Sequence, residues 1–67
     1  MLGKKIREKR ISLGLTQQSL ADNSNLDISS ISKIENNRAT PSLKALERIA
    51  RALDTTMIEL LNESKNS

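Results

Sequence analysis

Ile28, Ser29, Ser32, Lys33 and Asn36 carry the recognition chemistry that this chain offers most openly. At about 100° per residue they fall on one side of a helix whose other side is set by Ile31 and Ile34. Serine and asparagine side chains both donate and accept hydrogen bonds, lysine donates as a cation, and isoleucine supplies only apolar surface. No acid interrupts the centre of that side. Such a helix can approach a phosphate-lined groove and still reach the edges of the bases. Other chemistry is excluded by what the chain lacks. With no His and no Cys there is no obvious nucleophile–base pair, no disulfide and no thiolate metal site. With no Phe, Tyr or Trp, nothing can stack on a splayed base as single-strand binders require. No metal or cofactor is implied.

A short reading helix must be held by its neighbours, and the apolar spacing supplies them. Leu, Ile and Ala recur at three, four and seven, and no stretch alternates as a strand would. The spacing predicts a first helix over about Leu2–Leu13, with Leu2, Ile6 and Leu13 inward and Gly14 at its end. Thr16 caps a second helix to about Asn23 that buries Leu20 and Ala21. Asn23-Ser24-Asn25 is turn chemistry, and Asn25 suits a left-handed conformation. Asp27 caps the third helix, about Ile28–Asn36, which Asn36-Asn37 breaks. Ser42 caps a fourth helix with Leu43, Leu46, Ile49, Ala50 and Leu53 as its buried stripe. Thr56 with Glu59 matches a capping box and opens a short fifth helix burying Met57, Leu60 and Leu61. The expectation is a compact all-α domain of five helices over 1–62, with 63–67 as a loose tail.

Within it, Thr16 to Asn36 runs cap, buried Leu20-Ala21, turn, buried Leu26, cap Asp27, buried Ile31 and Ile34. The small Ala21 lets two helices cross closely, which is the layout of a helix-turn-helix. The segments Gly14-Leu15-Thr16-Gln17, Leu20-Ala21, Ile31-Ser32-Lys33-Ile34-Glu35 and Pro41-Ser42-Leu43 together resemble the phage-repressor and Cro type of helix-turn-helix, the Xre-like family, over about residues 2–61. The resemblance implies a lambda-repressor-like five-helix fold, a homodimer, and sequence-specific binding to a paired double-stranded DNA operator as a transcription regulator. Ser24-Asn25-Leu26-Asp27 is reminiscent of restriction–modification controller proteins, although phage repressors and antitoxins share the frame.

Residue by residue, the resemblance puts Ile28, Ser29 and Lys33 on base-reading positions, with Ser32 beside them. Gln17 matches a glutamine that touches phosphate and braces the first residue of the recognition helix. Asn36 and Arg38 fall where phosphate is contacted, and Arg10 with Glu35 on an ion pair tying helix one to the end of helix three. Three positions depart from the pattern. Asn25 and Asn37 stand where Gly is common. Ile28 is apolar where polar residues are frequent, so it offers no hydrogen-bond readout and reads as a thymine-methyl contact, as core filler or as a dimer contact. Lys9 replaces an apolar residue of the helix-one stripe.

One half-site is too short to be specific in a genome, which calls for pairing about a two-fold axis. Helix five and the turn before it suit that role: Ile58 points away from Met57, Leu60 and Leu61, with Asp54, Thr55 and Glu59 as a polar rim. Eleven basic against eight acidic residues give a net charge of +3, and residues 1–10 alone carry +4. That end steers toward a polyanion or forms a solvated face. No apolar run is long enough for a membrane span, and Met1–Arg10 does not read as a signal peptide, so the cytoplasm is the expected location. The alternative function is a protein-interaction module, such as an antitoxin or adaptor domain. It should show large apolar anchors on helix three, where only Ile28 qualifies. An enzyme or a small-molecule sensor fits less well, because so small a helical domain leaves little room for a pocket of a few hundred cubic ångströms.

Overall fold

The computed structural model describes residues 1–62, and the tail expected over 63–67 lies outside them. Five helices follow in order: α1 (Leu2–Ser12), α2 (Gln17–Ser24), α3 (Ile28–Glu35), α4 (Leu43–Ala52) and α5 (Met57–Leu61). No strand occurs among the described residues. Boundaries agree with the sequence reading to within a residue.

Short helices need explicit starts and stops, because propensity alone does not sustain them. The hydroxyls of Thr16, Ser42 and Thr56 accept hydrogen bonds from the main-chain N–H of Ser19, Ala45 and Glu59. Asp27 is a correction: its backbone is extended as a cap requires, yet its carboxylate makes no capping hydrogen bond. The first four helices all end in one device. Gly14, Asn25, Asn37 and Asp54 take positive φ between 56° and 72°. The N–H of each bonds back three residues, and the next N–H bonds back five: Leu15 to Arg10, Leu26 to Ala21, Arg38 to Lys33 and Thr55 to Ala50. This is the Schellman closure, which satisfies the last carbonyls while turning the chain sharply. Only Gly14 escapes the steric penalty of a left-handed backbone; Asn and Asp tolerate it through their short polar side chains.

The core gathers Ile6, Leu20, Ala21, Ile31, Ile34, Leu46, Ile49, Ala50, Leu53 and Leu60, with Leu2, Leu15, Leu26, Ala52 and Met57 packed around it. α2 packs on both α3 and α4, while α1 lies across α3 and α5. Three expected core residues are exposed instead: Leu13, Leu43 and Leu61. Leu43 and Leu61 each sit roughly 70° from the centre of the buried stripe of their helix, on its first and last turn respectively. Leu13 lies just past the end of α1 and leaves its stripe.

α1 starts without a side-chain cap of its own. Instead the N–H of Gly3 donates to Oδ1 of Asn37 at 3.3 Å, across the molecule. A Cβ at Gly3 would come within 3.0 Å of the carbonyl oxygens of Ile34 and Glu35 and of that same Oδ1. Two of those atoms are backbone, so they yield only if α1 moves off α3. Gly3→Ala is therefore expected to destabilise the domain by about 1–3 kcal/mol despite its better helix propensity. Urea unfolding of the variant as late as the parent's would show that α1 can shift freely.

Candidate nucleic-acid interface

Ile31 and Ile34 are buried, which fixes the rotation of α3 and turns Ser29, Lys33 and Asn36 outward. Ser32 is half-buried on one flank of this face. Ile28 sits on the same flank at the first turn, 44% exposed, the one large apolar side chain on α3 left to solvent. The Asn36 amide donates to the Ser32 carbonyl at 2.9 Å, so it closes its own helix end. Arg38 is exposed on the loop just beyond, its main chain pinned by the bond to the Lys33 carbonyl at 2.8 Å.

The base of α3 is held by charge. The side chains of Arg10 and Glu35 are only 12% and 2% exposed. Arg10 Nε donates to Oε2 of Glu35 at 2.7 Å and Nη2 to Oε1 at 3.1 Å, a two-pronged contact that fixes orientation as well as distance. Arg10 Nη1 donates to the Leu15 carbonyl at 2.8 Å, and Gln17 Nε2 donates to Oε1 of Glu35 at 3.1 Å. The Glu35 carboxylate thus gathers α1 and α2, and Arg10 ties in the turn between them. No buried side-chain nitrogen or oxygen among the described residues is left without a partner.

The resemblance had Gln17 bracing the first residue of the recognition helix, and this is corrected. The side chain of Ile28 carries no acceptor or donor, and the Gln17 amide goes to Glu35 instead. Sequence reasoning paired Arg10 with Glu35 but missed Gln17 and Leu15. The available signal was stoichiometric: a buried carboxylate presents about four lone-pair sites, more than one arginine fills. It also missed the clasp of Gly3 with Asn37, and the left-handed turn at Asp54.

The basic run at the start of α1 divides. Lys4 and Arg7 are exposed, but Lys5 Nζ donates to the Asn62 carbonyl at 3.4 Å, tying α1 to the end of α5. On α5, Ile58 is 76% exposed, with exposed Asp54 and Glu59 and half-buried Thr55 around it. The expectation that so small a domain lacks space for a pocket is also corrected. Surface clefts of about 310, 300 and 320 Å³ lie between α1 and α5 and on either side of the loop at Ala39–Pro41. No helix among the described residues is long and apolar enough to cross a membrane.

Comparison with known proteins places this geometry. A helix-turn-helix family model matches residues 6–60. An uncharacterized HTH-type transcriptional regulator of Methanothermobacter thermautotrophicus is 46% identical over 54 residues, covering 81% of this chain and 78% of that protein. The HTH-type transcriptional regulator SinR of Bacillus licheniformis is 36% identical over 64 residues; the match covers 94% of this chain but only 58% of SinR. Among solved structures, the restriction–modification controller protein C.AhdI of Aeromonas hydrophila superposes with a TM-score of 0.88 at 37% identity, covering 90% of this chain and 91% of that one. SinR in complex with DNA gives 0.88 at 32% identity, covering 92% and 100%.

Arg10→Met leaves a buried carboxylate facing a thioether, at an expected loss of about 3–5 kcal/mol. Arg10→Met with Glu35→Leu should recover part of that loss but not all, since the Leu15 carbonyl loses its partner in both variants and the Gln17 amide loses its partner in the double one. Thermal unfolding of the three proteins decides it: a single variant as stable as the parent would mean that the pair holds nothing.

Proposed function

The chain belongs to the Xre-like helix-turn-helix family, and on that premise we propose that it binds double-stranded DNA sequence-specifically as a homodimeric regulator of transcription, with α3 in the major groove. The observation that carries this reading is the outward side of α3. It presents hydroxyls, an ammonium and an amide without a carboxylate, while the one acid of the helix, Glu35, is turned inward and neutralised by Arg10. A buried, paired acid at that place keeps negative charge away from a phosphate-lined groove. The structure of SinR in complex with DNA, similar in fold over 92% of this chain, supports DNA binding.

In this reading Ser29, Ser32 and Lys33 meet base edges and Ile28 packs beside them. Asn36 and Arg38 hold the backbone of the duplex at the end of the helix. Gln17 reaches phosphate with the amide hydrogen that Glu35 does not take. These two kinds of contact do different work. Base contacts discriminate between sequences, whereas phosphate contacts add affinity to all of them. Lys33→Ala should relax preference at one base pair per half-site, at about 1–3 kcal/mol. Arg38→Ala should weaken every duplex alike and lower the salt slope of binding by about one. Binding to duplexes selected from a random pool, measured at several salt concentrations, tests both, and the reverse assignment would mean that α3 is docked the other way round.

Pairing of two copies through α5 follows from the need for a longer site. Ile58 would be the central apolar contact, with Asp54, Thr55 and Glu59 as its rim. Since Ile58 contributes nothing to the core, Ile58→Asp should leave the helical signal and unfolding midpoint unchanged. It should yield a monomer with much weaker DNA binding. Sedimentation showing a monomeric parent at micromolar concentration, or a dimeric variant, would remove α5 from the interface while leaving α3 as the reading helix.

A further inference from the structure

The side chain at position 28 differs in kind from the rest of the reading face. Ser29, Ser32, Lys33 and Asn36 all carry polar hydrogens or lone pairs, whereas Ile28 carries none. Its place is fixed by the buried Ile31 and Ile34 and by Glu35 on its own flank, which is clamped to α2 through Gln17. It stands at the first turn of α3, 44% exposed, and is not part of the core. A branched side chain there is also stiff, so it presents one shape to whatever enters.

We propose that each half-site read by this protein contains a pyrimidine recognised through its C5-methyl group, packed against Ile28. The inference rests on α3 being the helix that enters the groove. The major-groove edge of a pyrimidine offers two things: a hydrogen-bonding group at C4 and, in thymine, a methyl at C5. An isoleucine senses only the second. It separates thymine from uracil or cytosine by the methyl. At its own contact it does not separate the carbonyl of thymine from the amino group of 5-methylcytosine. The ligand class is therefore a 5-methylpyrimidine, whether thymine or methylated cytosine, and binding at that position responds to methylation of the DNA.

Removal of one methyl from this contact should weaken binding about fourfold per half-site, the value of burying one such group. The test uses the full chain and a duplex selected from a random pool. Each thymine is replaced singly by uracil, which deletes the methyl and leaves base pairing intact. At the responsive position, T·A is then exchanged for C·G and for 5-methylcytosine·G. The expected result is one thymine per half-site whose uracil form binds about fourfold more weakly, with 5-methylcytosine binding tighter than cytosine by a similar factor. In Ile28→Ala both differences should collapse, while Ile28→Val, which keeps a branched apolar surface, should retain most of them. A duplex bound tightly but indifferent to uracil at every position would overturn this inference and leave the proposed function standing. So would a methyl effect that persists undiminished in Ile28→Ala. Failure to bind any duplex would overturn both.

Discussion

The carboxylate of Glu35 is the point on which this small domain turns. It is almost wholly removed from water, and it accepts three hydrogen bonds from two elements: two from Arg10 on α1 and one from Gln17 at the start of α2. α3 itself is a helix of eight residues, too short to hold its shape or direction by propensity. Its orientation comes from two isoleucines pressed into the core and one acid clamped from the side. Apolar packing alone would allow small rotations about the helix axis. The two-pronged arginine contact does not, because both prongs must keep their geometry together. The clamp also settles the electrostatics of the outer face, since the only acid on α3 is spent on internal bonds.

Around that point the chain saves length wherever it turns. Four successive helices close with a residue in the same left-handed conformation and the same pair of back-bonds, so each turn needs only a few residues. Two of these closures flank α3: Asn25 sets the direction from which the chain enters it, and Asn37 the direction in which it leaves. Asn37 does more than turn. Its side chain receives the N–H of Gly3, and the missing side chain at Gly3 lets α1 lie directly on the last carbonyls of α3. The positive end of α1 thus meets the negative end of α3, an arrangement favoured by the dipoles of both helices.

Much of this was legible from residue types and spacing. The stripes at Leu20-Ala21 and Ile31/Ile34, the hydroxyl caps at 16, 42 and 56, and the turn residues Gly14 and Asn25 each carry a local physical cause, and each is found as read. What escaped depends on depth or on distant partners. Periodicity gives the direction of Leu43 and Leu61 but not whether anything lies opposite them. Asp54 looks like an acid on a surface and acts as a left-handed turn. Gly3 looks like a weak helix residue until α3 is laid across it. Asp27 has the residue type of a cap without the bond. Gln17, read as a brace for the first residue of α3, bonds Glu35 at the last turn of that helix instead.

The resulting surface is a rigid, acid-free helix face flanked by an exposed arginine and backed by a clamp, which is the arrangement that a major groove admits. The most direct measurement is a titration of the isotope-labelled chain with a selected duplex, followed through its backbone amide resonances. Changes should concentrate at residues 28–33 and 36–38 and at Gln17, with the buried amides of α4 nearly still. Changes centred on α4 and α5 with residues 28–33 unmoved would contradict the assignment of α3 as the reading helix.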